Sequence, residues 1–201
     1  MKNRIGLLGI IALAAIIGLS MMACEEPDPC ADCLKIGAAG PGGGKIIYHH
    51  HAGFTVTGLG TCYYMEAAPT NQATNIKWSN TDVDVTGATG TAIGTGKANT
   101  AAIIAAHSGD TASNNAAKAA VAYSGGGKND WFLPSKDELN EMYKARTHLG
   151  ISSVSFWSSS QYKDYYSNAW YQYFGNGGQG LASKDSVTNE DGSLVRAVRA
   201  F

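Results

Sequence analysis

The sequence predicts an α+β protein: an antiparallel sheet with two or three helices. Three observations carry this. Short β-rich segments lie toward both ends of the 201-residue chain. Alanine-rich and capped helical segments fill the middle. No internal repeat interrupts that order. Strands, then helices, then strands again favour α+β with an antiparallel sheet over alternating α/β.

Taken in order, "GPGGGKIIYHHH" (40–51) reads as a glycine turn and a short apolar strand. "CYYMEAAP" (62–69) is a second strand, stopped by Pro69. Residues 79–97, rich in Thr, Gly, Asp and Ser, form a long loop. "NTAAIIAAHSG" (99–109) is helical, with Asn99 as N-cap. "SNNAAKAAVAYSGGG" (113–127) is a second helix closed by glycines. "WFLP" (131–134) is a brief strand. In "SKDELNEMYKARTHLG" (135–150) Ser135 and Glu138 have capping-box spacing, Leu139, Met142, Tyr143 and Arg146 fall at helical spacing, and Gly150 is the stop. "FWSSS" (156–160), "AWYQYF" (169–174), "GLAS" (180–183) and "SLVRAVRAF" (193–201) follow as strands.

The N-terminus bears on the compartment. Lys2 and Arg4 precede an apolar run from Ile5 to Ile17, and "GLSMMAC" ends in Ala23-Cys24. This is the pattern of a secretory signal peptide, and the final cysteine resembles a bacterial lipobox, with Met21 in place of the usual Leu. The apolar run is short for a membrane span of about 20 residues. The expected organisation is a signal peptide at 1–23, lipidation at Cys24, an acidic Pro-containing tether at 24–35 and a single ligand-binding domain at 36–201. The expected location is the outer membrane or cell surface, held by the lipid.

Charge excludes one partner class. The chain has 15 basic and 16 acidic residues, and Lys2 and Arg4 leave with the leader, so the mature net charge is −3. That is no footprint for nucleic acid. In an oxidising compartment the remaining cysteines favour a disulfide, Cys62 with Cys30 or with Cys33, leaving one unpaired.

Several motifs fail on inspection. "GTAIGTGKA" (90–98) has Thr91 where a phosphate loop needs Gly, and Ala98 where it needs Ser or Thr. His49, His50 and His51 alternate across a strand, so at most two could share an ion. Asp82 and Asp84 are two carboxylates where calcium takes 6–8 oxygens. Ser158, Ser159 and Ser160 have no His–Asp pair nearby in sequence. No metal, cofactor or catalytic residue is expected.

"YKDYYSNAWYQYF" (162–174) stands apart, with seven of the nineteen aromatic residues. Tyr among Ser, Asn and Gly is the mixture of binding surfaces, where rigid rings give contact area at low entropy cost. On a strand, Trp170, Gln172 and Phe174 share one face and Tyr171 and Tyr173 the other. The expectation is that Trp170 and Phe174 are core. Tyr171 and Tyr173 are expected to be exposed, in one ligand-binding surface with Tyr162, Tyr165, Tyr166, Asn168, Asn176 and Gln179. The alternative is cross-strand aromatic pairing that only stabilises the sheet.

The segments "GPGGGKIIY", "YYMEAAP", "TAIGTGKANTAAII", "GGGKNDWFLPSKDELNEMY", "FWSSSQY", "AWYQYFGNGGQ" and "VRAVRAF", in order from about 40 to 201, resemble the domain family named after the C-terminal domain of the Legionella collagen-like adhesin. The resemblance implies a C-type-lectin-like fold with N- and C-terminal strands close together, and ligand binding at the cell surface. Related domains are variable receptors of diversity-generating retroelements. In the family pattern Phe156–Gln161, Ala169, Trp170, Gln172 and Phe174 match fixed positions, and the positions between them are free. The adhesin's sulfated-glycan binding transfers poorly to a chain without basic surplus. The related formylglycine-generating chemistry uses C-terminal cysteines, and none follows Cys62. The implied function is an adhesin or variable receptor for a glycan or protein. The alternative is an envelope or fimbria-like subunit that self-assembles through its aromatic face. Arg196 and Arg199 lie on the last strand, and one is expected to meet Glu66 or Glu138, since a buried charge requires a partner.

Overall fold

A computed structural model describes residues 33–187 and 193–201. These belong to the compact unit Asp32–Phe201. The expected signal peptide, Cys24, Cys30 and nearly all of the expected tether lie outside the described residues.

The unit is α+β, with two sheets. One holds β1 (Lys45–Val56), β2 (Gly60–Ala67) and β7 (Val198–Ala200), in the order β1-β2-β7. The other holds β3 (Ser155–Gln161), β4 (Asn168–Tyr173), β5 (Gln179–Ser183) and β6 (Ser193–Leu194), in the order β5-β4-β3-β6. Four helices complete it: α1 (Gly96–Ala106), α2 (Ala116–Val121), α3 (Lys136–Lys144) and α4 (Arg146–Leu149). The first strand and the end of the chain do share a sheet, separated by β2. The predicted last strand is divided, however: Ser193–Leu194 runs parallel to β3 in the other sheet.

Both faces of the β3–β4 pair are covered. Trp157, Ala169 and Ala182 join Ile103, Ala116, Ala120, Trp131 and Val195 in one apolar cluster. Phe156 and Phe174 join Leu139, Met142, Phe132 and Val198 in a second. Adjacent Phe156 and Trp157 therefore point into different cores, as successive residues on a strand must.

Local signals explain α3. The Ser135 side chain accepts from the Glu138 amide, and the Glu138 carboxyl accepts from the Ser135 amide at 2.7 Å. Gly150 ends α4 in the left-handed region at φ 64°, where a side chain would be strained. Three expectations are corrected. Helix α1 starts at Gly96, so Asn99 is inside its first turn, donating to the Gly90 carbonyl rather than capping. Helix α2 covers only Ala116–Val121, capped by Asn115, and the glycines beyond form a separate 3-10 turn at Gly125–Gly127. "WFLP" makes a single bridge, Phe132 with Val198.

The glycine turn before β1 wraps a carboxylate. Glu66 is fully buried and accepts from the amides of Gly42 and Gly44 at 2.8 and 3.1 Å. Arg199, its cross-strand partner on β7, donates to it at 2.9 Å and to Asp130 twice, at 2.8 and 2.9 Å. Glu66 was an expected partner, whereas Asp130 was not. The hydrogen bond from Arg199 holds the Asp130 carboxyl below its ordinary range. Glu138 meets no arginine among the described residues. The anticipated bridge from Cys62 to Cys33 is absent: both are free thiols, because Cys62 faces the second apolar cluster. Burial pushes the Cys62 thiol up.

Candidate functional site

Tyr171, Tyr173, Asn176 and Gln179 line one concavity of about 340 Å³, walled also by Ser155, Gly178 and Gly180. The strands dictate this. Tyr171 opposes Trp157 on β3 and Gly180 on β5, while Tyr173 opposes Ser155. The concavity therefore continues the face that packs Trp157 and Ala169 inward, at the end where the cluster runs out. Tyr171 still touches that cluster, its ring edge-on to Trp157 with centroids 6.4 Å apart.

Two glycines set the attitude of the rings. A Cβ on Gly180 would lie 2.8 Å from Cζ and the hydroxyl of Tyr171. One on Gly175 would lie 2.5 Å from Cε1 and Cζ of Tyr173. Each ring thus rests on backbone that only glycine leaves bare. Tyr171 and Tyr173 are half-buried, not open as expected.

The concavity carries no charged side chain. Among the described residues, the hydroxyls of Tyr171, Tyr173 and Ser155 have no hydrogen-bond partner. Asn176 Oδ1 accepts from the Gly178 amide at 2.9 Å, which leaves its NH₂ group to donate elsewhere. The Gln179 amide turns toward α3, donating to the Lys136 carbonyl at 3.0 Å. Gln179 therefore serves the wall more than the opening.

The remaining predicted residues lie elsewhere. Tyr162 sits edge-on to Trp170, centroids 5.8 Å apart, on the face opposite to Tyr171. Lys136 Nζ lies 4.9 Å from the Trp170 ring centroid. Trp170 is half-buried here rather than core, because α3 begins at Lys136 and leaves this end of the face uncovered. Phe174 is fully buried as expected, against Phe156 and Tyr143. Tyr165 and Tyr166 occupy the β3–β4 turn, 62% and 49% exposed. Asn168 closes that turn through its backbone, accepting from Tyr162 and donating to Tyr165. The aromatic stretch thus splits into a concavity, a rim pair and a turn. Ser155, Gly178 and Gly180 were missed. Their signal is faint, because a glycine contributes here by the space it leaves.

The loop at Asp82 and Asp84 already holds a cation. Lys184, fully buried, donates Nζ to the Val83 carbonyl and to Gln161 Oε1 at 2.8 and 2.6 Å, and stands 4.7 Å from the Trp78 ring centroid. Burial lowers its pKa to about 8, against the pull of Asp82 and Asp84. No group of three His, Cys, Asp or Glu able to hold a metal occurs among the described residues. His50 and His51 stack on each other and are exposed on β1.

Neither a family model nor a curated protein matches the chain.

Proposed function

We propose that this chain is an exported, lipid-anchored binding protein of C-type-lectin-like fold, and that Tyr171, Tyr173 and Asn176 hold a neutral, hydroxyl-rich ligand, the face of a glycan. The observation that carries this is the uncharged concavity in which two tyrosine rings stand beside three hydroxyls and one NH₂ group that are unclaimed among the described residues. A ring face takes the C–H face of a sugar, and the hydroxyls and amide meet its polar edge. A charged ligand would find no counter-charge there. Anchoring rests on the leader and Cys24. The fold reading is supported by β1 and β7 sharing a sheet and by the family resemblance of the segments that build both cores.

The test is a glycan array probed with the purified full chain in non-ionic detergent, followed by titration of any hit. Binding of neutral glycans that is lost in Tyr173→Ala supports the reading. Self-association that grows with concentration and is lost in that variant would instead make the aromatic face a subunit contact. Replacing Cys24 with Ser should release the protein or leave it unprocessed, and intact lipid labelling of that variant would refute the anchor.

A further inference from the structure

Arg196 and Arg199 are three residues apart and each is 6% exposed. Arg199 meets two carboxylates. Arg196 meets none among the described residues. Its Nε donates to Asn71 Oδ1 and its Nη1 to the Ala68 carbonyl, each at 2.8 Å and each to a neutral acceptor. A guanidinium has five N–H donors, and Nη2 has no partner among the described residues. Nor is Nη2 sealed in protein: among the described residues the side-chain atoms both sealed and unpartnered are His107 Nδ1 and Trp131 Nε1. A cavity of about 180 Å³ opens beside Arg196, walled by Asn71, Ile151, Val154, Phe156 and Leu194.

We propose that Arg196 and this cavity form a binding site for a small organic carboxylate. An almost wholly buried cation without a counter-charge is costly, and an anion entering the cavity relieves that cost. The planar fork of arginine matches the two oxygens of a carboxylate. The walls are mixed, and their apolar part chooses among anions. Phosphate or sulfate would press further charged oxygens against Ile151 and Val154, whereas a carboxylate presents its hydrocarbon part to them. The volume is near that of a dry cavity of about 150 Å³ that accepts benzene, so one ring with its carboxylate fits. Burial lowers the Arg196 pKa to about 10, which leaves it charged at neutral pH. The site is independent of the tyrosine concavity, and neither proposal needs the other.

The experiment is thermal unfolding of the full chain in non-ionic detergent with benzoate, its neutral counterpart benzamide, or sulfate. Saturating benzoate should raise the melting temperature by about 4 °C, with little change from the other two. Arg196→Gln should abolish the response. Should that variant not fold, Ser152→Phe decides the matter: Ser152 is exposed and lines the cavity, so a ring there blocks entry while Arg196 itself is kept. It should weaken benzoate at least tenfold. Tyr173→Ala should keep the full response, which separates this site from the concavity. No response in the unsubstituted chain, equal shifts from benzoate and benzamide, a sulfate shift matching benzoate, or a full response in Ser152→Phe would each overturn the proposal.

Discussion

The two faces of β4 and the residue after it each carry two aromatic rings, and they have opposite uses. One carries Trp170, Gln172 and Phe174, the other Ala169, Tyr171 and Tyr173. On the first face α3 fixes each side chain by a specific contact. Phe174 packs against Tyr143 and Phe156, Gln172 donates to Asn140 at 2.9 Å, and Trp170 lies under Lys136. On the second face packing stops at Tyr171, and the rings rest on glycines with their hydroxyls unclaimed. The difference lies in what covers the strand. An aromatic ring is core where a helix supplies partners, and a platform where the neighbouring strand supplies only bare backbone.

The largest effect should separate the faces most sharply. Phe174→Ala should cost about 3–5 kcal/mol of stability, as removal of a buried aromatic does. Tyr173→Ala should cost about 1 kcal/mol, since its half-buried ring joins neither core cluster. Urea unfolding of both variants measures this. Equal losses would make the second face core and remove the platform.

Binding should show the reverse order. Tyr171→Ala or Tyr173→Ala should each lose about 2 kcal/mol of affinity for a glycan hit, as anchor residues do. Gly180→Val is the more discriminating change. Its side chain would occupy the place of the Tyr171 ring, so affinity should fall comparably although both tyrosines remain. Isothermal titration of the three variants checks this, and unaltered affinity in Gly180→Val would mean that ring attitude is irrelevant.

Titration distinguishes the surroundings of the two faces. Glu138 opens the helix that covers the first face. Burial raises its pKa from 4.5 to about 7, against the amides of Ser135, Gly94 and Gly96. Between those values the folded state holds more protons than the unfolded one, so stability should fall as pH rises from 4.5 to about 7. Lys184, beyond β5, behaves oppositely. Its pKa drops from 10.5 to about 8, so the unfolded state binds the extra proton and stability should rise across that interval. Each arm has a slope of at most about 1.4 kcal/mol per pH unit. Glu138→Gln should flatten only the acid arm and Lys184→Met only the alkaline one. An arm that survives its own substitution belongs to another group.

The parts legible in the sequence are those set by local chemistry. Ser135, Glu138 and Gly150 mark their helices because caps depend on near neighbours. Asn99 misled because the α1 start is set by a distant group: the Gly96 amide donates to Glu138 at 3.4 Å, 42 positions away. Tyr171, Tyr173 and Asn176 were legible as a candidate site from their types and alternation, and Gly180 was not, since its contribution is an absence of side chain. Trp170 was misplaced because alternation tells which face a residue takes but not where the covering helix begins, and Tyr171 by treating the sheet as covered on one face only. The adjacent Phe156 and Trp157 carried the contrary signal, because two large apolar neighbours on a strand require a core on each side.

The smallest effect tests that correction. Trp170 belongs to the packed face by alternation, yet it is half-buried at the end that α3 does not cover. Its identified partners are the Tyr162 ring and the Lys136 ammonium. A cation over an indole contributes about 0.5–1 kcal/mol at an accessible site, and an edge-on aromatic pair about as much. Trp170→Ala should therefore cost about 1–2 kcal/mol, well short of Phe174→Ala on the same face. Lys136→Met should remove part of that cost, so the double variant should be less destabilised than the sum of the two. A double-mutant cycle by urea unfolding measures that coupling. A loss for Trp170→Ala as large as for Phe174→Ala, with no coupling to Lys136, would return Trp170 to the core and erase the distinction between the covered and uncovered ends of this face.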